Sequence, residues 1–375
     1  MQWKKAEKPQ IIHDVLGHPQ LRPLIDDWER REPDSRIRSS LNDKLARLSP
    51  DRPFWVAALL FDLYQNPETL PSYCNTSADH RSEEEASNEI FQEALPHYFR
   101  LQKVLAVSNT PKVEKQANLA IRMIASLLSD VQLVSVYLAL RMQKLEWQEP
   151  LDDEEKQQSA WINLYVDAPL ASRIGIFWIK SELEDRAFQI LQPEQYAHLK
   201  RLVARKRDQR RMLVEKTLQE IQKMLQEAGL KHQVQGRYKR FYSIFEKLKR
   251  VDDDFEKIHD LTGFRVLVEH VRDCFTALSY IHERWIPFDD RYKDYISQPK
   301  PNGYQSLHTT VLNDEGDPLE IQIRTQEMHR VAENGFAAHW LYKSSSDSPH
   351  SPGGNNPGKD LSHPRKKQNP EMQAN

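Results

Sequence analysis

The 375-residue sequence contains little cysteine and no long apolar run. Its two cysteines, Cys74 and Cys274, are too few for a disulfide framework or a cysteine-rich metal site. No stretch approaches the roughly 20 apolar residues that cross a bilayer, and the polar N-terminus lacks a signal-peptide core. Lys and Arg (53) nearly balance Asp and Glu (55). We therefore expect a cytoplasmic protein that binds anions, if at all, through local charge clusters.

Glycine is nearly missing from the first 228 residues, where only Gly17 and Gly175 occur. Six glycines lie between Gly229 and Gly335, and three lie in the tail. Glycine disfavours helix interiors and serves tight turns, so this distribution predicts helices first and then strands and turns. After Lys343 the chain is rich in Ser, Pro, Gly and Asn, a composition that predicts disorder.

Apolar periodicity supports the same division. Spacings of three and four residues predict helices over 54–64, 114–128 and 131–145. A stretch that is free of Gly and Pro after its start predicts a long helix from Pro193 that stops before Gly229. Alternation predicts strands at 264–269, 307–312 and 319–325, and a hairpin loop over 313–317 joins the last two.

The predicted fold is therefore α+β, in four segments. We expect an all-helical domain over 1–192, a connecting helix over 193–230, a domain with a mixed sheet and helices over 231–343, and a disordered tail over 344–375.

A basic segment opens the second domain. Arg237, Lys239, Ser243 and Lys247 gather cations and a hydroxyl around the start of a predicted helix. Backbone N–H groups at a helix start, with cations nearby, suit a polyphosphate. A solvated basic helix is the commoner result of such a charge run.

The strand over 319–325 places a carboxylate, an amide and a guanidinium, those of Glu320, Gln322 and Arg324, on one face. Asp260 lies just before the predicted strand that carries Arg265. If the two strands are neighbours, Asp260 and Glu320 can share one Mg²⁺, a hard cation that favours carboxylates and substrate phosphates. Two unrelated surface carboxylates are the alternative.

Between these strands lies a loop with nucleotide-binding chemistry, shaped by Pro and Gly. Lys293 and Lys300 supply phosphate contacts, Asn302 can read a base edge, and Tyr304 offers a ring for stacking. Tyrosine beside an Asn-Gly turn usually only packs the turn. The lysines and His308 favour a ligand loop instead.

The region from Gly236 to Lys343 closely resembles the synthetase domain of the RelA/SpoT homologues, which make the alarmone (p)ppGpp. Matching blocks, in family order, are GRYKRFYSIFEKL, IHDLTGFRVLV, RYKDYISQPKPNGYQSLHTTVL, LEIQIRT and AENGFAAHWLYK. The resemblance implies a nucleotidyltransferase-like domain that transfers pyrophosphate from ATP to the ribose 3′-hydroxyl of GDP or GTP and releases AMP.

The resemblance also implies roles for individual residues. Asp260 and Glu320 hold Mg²⁺, and Glu320 takes the hydroxyl proton. The expected ATP ligands are Arg237, Lys239, Ser243, Lys247 and Arg265. The expected ligands of GDP or GTP are Lys293, Lys300, Asn302, Tyr304, His308, Gln322 and Arg324.

The N-terminal region resembles the family's helical HD-type hydrolase domain, with its Mn²⁺ ligands replaced. Residues 57–62 resemble the helix of the His-Asp pair, but Phe61 stands in the histidine position beside Asp62. Leu140 and Gln143 stand where a further Asp and His are expected, and no histidine lies near Ile37. The resemblance therefore implies a pseudo-hydrolase that scaffolds or restrains the synthetase. His80 and His97 allow a different site, although isolated histidines are usually structural.

Several alternatives stay open at this point. Long family members continue into regulatory domains, so this chain is expected to be a shortened or naturally short form. The basic loop Arg291–Asp294 favours GTP over GDP on electrostatic grounds. Basic residues over 200–211 and 363–367 allow the same chemistry on a tRNA 3′ end. A non-catalytic nucleotide-binding regulator is the other alternative, and the oligomeric state is left open.

Overall fold

A computed structural model describes residues 17–31, 35–48, 50–64, 66–71, 74, 85–108, 114–127, 130–146, 152–252, 254–255, 258 and 261–334. The helices are α1 (Arg22–Arg31), α2 (Ser35–Leu48), α3 (Arg52–Leu63), α4 (Glu85–Ser108), α5 (Glu114–Leu127), α6 (Val131–Glu146), α7 (Asp153–Ile162), α8 (Ala168–Ile174), α9 (Phe177–Leu191), α10 (Pro193–Glu227), α11 (Phe241–Leu248), α12 (Val271–Arg284) and α13 (Gln326–Asn334). The strands are β1 (His232–Tyr238), β2 (Thr262–Val268), β3 (Ile286–Pro287), β4 (Lys293–Asp294), β5 (Leu307–Leu312) and β6 (Pro318–Thr325).

Helices α1 to α9 share one apolar core. Helix α3 lies at its centre, because residues 54–61 are apolar and buried all around the helix. Helix α6 is also buried along most of its length, including the guanidinium of Arg141. Asp167 compensates that charge: its carboxylate accepts from Arg141 Nε at 2.8 Å and from the Tyr137 hydroxyl at 2.7 Å. A π-helical turn over 163–167 presents Asp167 to both partners.

The 35-residue helix α10 connects this core to the rest of the chain. It ends where the sequence predicts, since Gly229 adopts φ +69° and its N–H bonds the carbonyl oxygen of Gln226. Near its start, Leu199 and Val203 pack with α11. Further along, Val214 and Ile221 pack beneath the sheet. Helix α10 therefore packs against α11 near its start and against the sheet further along.

The six-stranded sheet has the order β1-β2-β6-β5-β3, with β4 also paired to β5. Only β2 and β6 are parallel; the other described pairs are antiparallel. Phe264, Val266, Ile321 and Ile323 point to one face and pack on α10 and α12. Polar side chains therefore occupy the opposite face, as the alternation of β6 predicts.

The structure confirms the α+β class, the predicted helices and strands to within a few residues, and the hairpin loop. The seven-residue strand β1 and the two-residue strands β3 and β4 were not predicted. Residues 335–375 lie outside the described part, so the tail and the exact segment boundaries stay predictions. None of the helices described is both long enough and apolar enough to span a membrane.

Candidate nucleotide site

The polar face of the sheet carries two rows of side chains in register. One row runs across five strands, through Gln235, Arg265, Gln322, His308 and Lys293. The second row joins Arg237 to Glu320 through Gly263, and continues to Thr310. Residues paired across strands project from the same face. The fold therefore gathers six of the predicted site residues from separate stretches of sequence.

Glu320 is the carboxylate at the centre of this face. Its Oε2 accepts from Lys239 Nζ at 2.6 Å, and Gln322 Nε2 lies 3.5 Å from its Oε1. Lys239 follows β1 directly, and its N–H bonds the carbonyl oxygen of Leu261 at 3.0 Å. The pairing of β1 with β2 and of β2 with β6 thus brings the lysine and the carboxylate together. Asp260, the other predicted metal ligand, lies outside the described residues.

The predicted acceptor loop is held by its own aromatic rings. The Tyr304 hydroxyl and Nε2 of His308 share a hydrogen bond at 2.7 Å. Tyr295 lies edge-on to both rings, and Lys300 Nζ lies 4.4 Å from the Tyr295 ring centroid. Burial lowers the pKa of His308 to about 4, so its imidazole is neutral at pH 7. Oδ1 of Asn302 accepts a hydrogen bond from the Tyr304 N–H at 3.3 Å, which shapes the turn.

Two arginines of the polar face are buried together. Arg265 and Arg324 are 7% and 2% exposed, and both guanidinium groups lie within 3.4 Å of Oε1 of Glu333 on α13. Arg324 also donates to Nδ1 of His329 at 2.6 Å. Burial, with Arg324 and Arg237 beside it, lowers the pKa of Arg265 to about 10. Arg324 therefore lies beneath α13, whereas Gln322 and Glu320 remain half-buried.

A cavity of about 1160 Å³ separates the sheet from the helical core. Arg237 and Arg265 line its sheet side. Lys44, Arg47 and Trp178 line its helical side, where Arg47 lies 4.0 Å above the Trp178 ring. Its volume slightly exceeds the usual range for small-molecule sites. Sequence reasoning missed this helical wall, because no local pattern links α2 and α9 to a distant sheet.

Two residues separate the end of strand β1 from the start of helix α11. Arg237 belongs to strand β1 and not to the helix start, which is at Phe241. The N–H of Tyr242 already donates to Oδ1 of Asp185 at 2.9 Å. An internal carboxylate therefore already holds one donor of the predicted polyphosphate cradle, and the cradle itself stays a prediction. Ser243 and Lys247 lie further along α11 and are not among the residues that line the cavity.

The helical core shows what occupies the expected hydrolase positions. Phe61 is buried, and Oδ2 of Asp62 accepts from Trp28 Nε1 at 2.9 Å. Leu140 and Gln143 are buried on α6. Within the described part of the chain, no three His, Cys, Asp or Glu residues are placed to hold a metal.

The histidines weighed as another site do not form one in the described residues. The ring of His97 packs on Phe54, with centroids 4.2 Å apart, and burial lowers its pKa. His80 lies outside the described residues.

The helical core and the polar sheet face define the class of protein: a helical domain of the HD type, followed by an α+β domain that carries the candidate nucleotide site. Comparison with known families agrees, since the model for an HD domain matches residues 35–177. The model for the region found in RelA/SpoT proteins matches residues 236–347. The chain belongs to the RelA/SpoT homologues.

Curated relatives support this assignment. The chain is 37% identical over 297 residues to a GTP pyrophosphokinase of Myxococcus xanthus, covering 78% of this chain and 39% of the relative. It is 40% identical over 298 residues to a GTP pyrophosphokinase of Streptomyces coelicolor, covering 78% and 34%. It is 36% identical over 299 residues to the bifunctional (p)ppGpp synthase/hydrolase SpoT of Escherichia coli, covering 80% and 41%. The chain thus spans less than half the length of these relatives.

Proposed function

We propose that the protein is a cytoplasmic GTP/GDP pyrophosphokinase. It transfers the β,γ-pyrophosphate of ATP to the ribose 3′-hydroxyl of GDP or GTP and releases AMP. The observation that carries the proposal is the Lys239–Glu320 pair, 2.6 Å apart, which lies beside the row that joins the predicted ATP ligand Arg265 to predicted acceptor residues. The names of the curated relatives support the same reaction.

On the ATP side, the chain supplies positive charge from two strands and one helix. Arg237 and Arg265 face the cavity from β1 and β2, and Lys239 lies beside the reacting carboxylate. Ser243 and Lys247 project from α11. Guanidinium and ammonium groups neutralise charge that develops on the transferred phosphoryl groups, so most of the catalysis is positioning and electrostatics.

On the acceptor side, Tyr304 offers its ring to guanine and Asn302 offers its amide to the base edge. Lys293 and Lys300 contact the acceptor phosphates. Neutral His308 holds the Tyr304 hydroxyl and thereby fixes the ring plane. The row from Arg265 through Gln322 to His308 supports an acceptor position next to the ATP side.

Glu320 is the proposed general base. Its carboxylate takes the proton of the 3′-hydroxyl, while Lys239 holds the side chain in place. The oxygens of Glu320 also suit Mg²⁺, which prefers carboxylates and phosphates and in this site supplies charge neutralisation for the transferred pyrophosphate. Asp260 is the proposed second ligand.

We propose that the HD domain has lost hydrolysis. Phe61 fills the histidine position with an apolar ring, and Asp62 is engaged by the Trp28 indole. Three or more ligands are normal for a catalytic transition-metal site, and the described residues supply no such set.

The tRNA alternative gains no support from the basic helix. Lys206 and Arg207 of α10 lie over the rings of Phe255 and Tyr238, at 5.4 and 3.9 Å from the centroids. Arg211 pairs with Glu215 at 3.6 Å. At least three of the seven cations over 200–211 therefore make intramolecular contacts.

The proposal is tested with Glu320→Gln, which keeps the size of the side chain and removes the base. GDP-dependent release of AMP should fall at least about 100-fold. Glu315→Gln, in the exposed hairpin loop beside β6, is the matched control and should keep normal turnover. Equal rates for Glu320→Gln and the unchanged protein would remove Glu320 from the reaction.

A further inference from the structure

The start of helix α11 is capped by a residue from the helical domain. A helix start leaves several N–H groups unsatisfied, and Ser, Thr, Asp or Asn at the N-cap position usually accepts from one of them. Here the N-cap is Arg240, and within the described part of the chain its side chain makes no such bond. Instead Oδ1 of Asp185, on α9, accepts from the N–H of Tyr242 at 2.9 Å.

Charge around this cap fixes the two helices further. Arg240 Nη1 lies 3.1 Å from a carboxylate oxygen of Glu182 and 3.7 Å from one of Asp185. Glu182 also accepts from Arg186 Nε at 2.8 Å. The Asp185 side chain is only 12% exposed, so water competes little for its oxygens.

Apolar contacts join the same two helices. The ring of Phe188 on α9 stacks on Phe245 of α11, with centroids 4.4 Å apart, and meets Tyr242 edge-on. Helix α11 has only eight residues, well below the length at which a helix is stable alone. Its position therefore depends on α9, through the Asp185 cap and this packing.

We propose that Asp185 is a positioning residue for ATP, acting through α11. This inference rests on the proposed function, because α11 carries Ser243 and Lys247, two of the proposed ATP ligands. The acceptor loop and Glu320 are placed by β5 and β6 instead. Loss of the cap therefore loosens the ATP side alone: ATP binds more weakly, while the acceptor and the turnover at saturating ATP change little.

The experiment compares Asp185→Ala with Asp185→Asn, whose amide oxygen can still accept from Tyr242. The KM values for ATP and GDP and the kcat are measured for each, and binding of α,β-methylene-ATP is measured by calorimetry. A cap contributes about 1 kcal/mol, so Asp185→Ala should raise the KM and the Kd for the ATP compound about fivefold. Asp185→Asn should stay within about twofold of the unchanged protein.

Two further variants distinguish a positioning role of Asp185 from a general loss of structure around α11. Glu182→Gln lies on the same helix and weakens the contact with Arg240 without removing the cap, so its ATP affinity should be unchanged. Arg240→Ser places a capping residue on α11 itself, and combined with Asp185→Ala it should restore ATP affinity.

An unchanged ATP affinity in Asp185→Ala, or a loss of kcat with an unchanged KM for ATP, overturns the inference. A rescue variant that binds ATP no better than Asp185→Ala also overturns it. If the unchanged protein shows no transfer to any acceptor, the proposed function fails, whereas the calorimetric arm still decides the role of Asp185.

Discussion

The side-chain amide of Asn302 donates a hydrogen bond to the main-chain carbonyl oxygen of Ser172, 3.3 Å away and 130 residues earlier in the chain. Beside it, Phe177 meets the Tyr304 ring edge-on, with centroids 6.0 Å apart. The helical domain thus contacts the two residues proposed to recognise guanine. The bond to Ser172 occupies one of the two N–H donors of the Asn302 amide, so we expect this contact to oppose binding of the acceptor.

Removing the Phe177 ring should release the acceptor loop. An edge-on aromatic pair contributes about 0.5–1.5 kcal/mol, so Phe177→Ala should lower the KM for GDP by about 2- to 10-fold. Steady-state kinetics at saturating ATP measure this. Phe99→Ala, a partly exposed phenylalanine on α4, is the control and should leave this KM unchanged. A higher KM in Phe177→Ala would show that the helical domain supports acceptor binding instead.

The stability of the fold should depend on pH through His308. Burial lowers its folded pKa to about 4 from the ordinary 6.5, with Glu320 opposing the shift and Lys300, Arg324 and Lys239 adding to it. Between these values the unfolded chain binds the proton and the folded chain does not. The free energy of unfolding therefore rises as the pH increases from 4 to 6.5. The stability that depends on His308 is lost as the pH falls through the same window.

Urea unfolding at pH 4.5, 5.5, 6.5 and 7.5 measures this dependence. His308→Gln should flatten the slope, because the amide keeps a partner for Tyr304 without titrating. Part of the slope should remain, since burial also lowers the pKa of His329 to about 4. An identical slope in the two proteins would contradict the assignment to His308.

The buried pair of Arg141 and Asp167 should dominate the stability of the helical domain. Asp167→Ala leaves a guanidinium that is 4% exposed without its carboxylate, which costs about 3–5 kcal/mol. Replacing both residues by leucine should recover much of that loss. Asp153→Ala, whose side chain is fully exposed at the start of α7, should change stability by about 0.5 kcal/mol or less. Comparable melting of the two alanine variants would contradict this account.

Restoring the histidine at position 61 should not restore hydrolysis. Phe61→His provides one ligand next to Asp62, but Asp62 remains bonded to Trp28, and Leu140 and Gln143 offer no further pair. Burial of the imidazole should lower the free energy of unfolding by about 2 kcal/mol. Phe61→Leu, which stays apolar, should lower it by less. Release of pyrophosphate from ppGpp by Phe61→His in Mn²⁺ would contradict the account.

The sequence predicts those features that depend on neighbours in the chain. Strand β6 is predicted from its alternation, α10 from the absence of Gly and Pro, and its end from Gly229, because each signal is local. Strand β1 was missed, since the Arg-Lys run beside it favours a helix and its pairing with β2 is not local. The contacts of Ser172, Phe177 and Asp185 with the α+β domain were missed for the same reason: no pattern within a helix specifies what packs against it from a distance.

The central claim is the transfer of pyrophosphate to a guanine nucleotide. The most direct test incubates the purified protein with γ-labelled ATP, Mg²⁺ and, in separate reactions, GDP, GTP or deacylated tRNA, and resolves the products by chromatography. We predict label on GDP and GTP with equal release of AMP, and none on tRNA. Label on tRNA alone, or no label on any acceptor, would contradict the account.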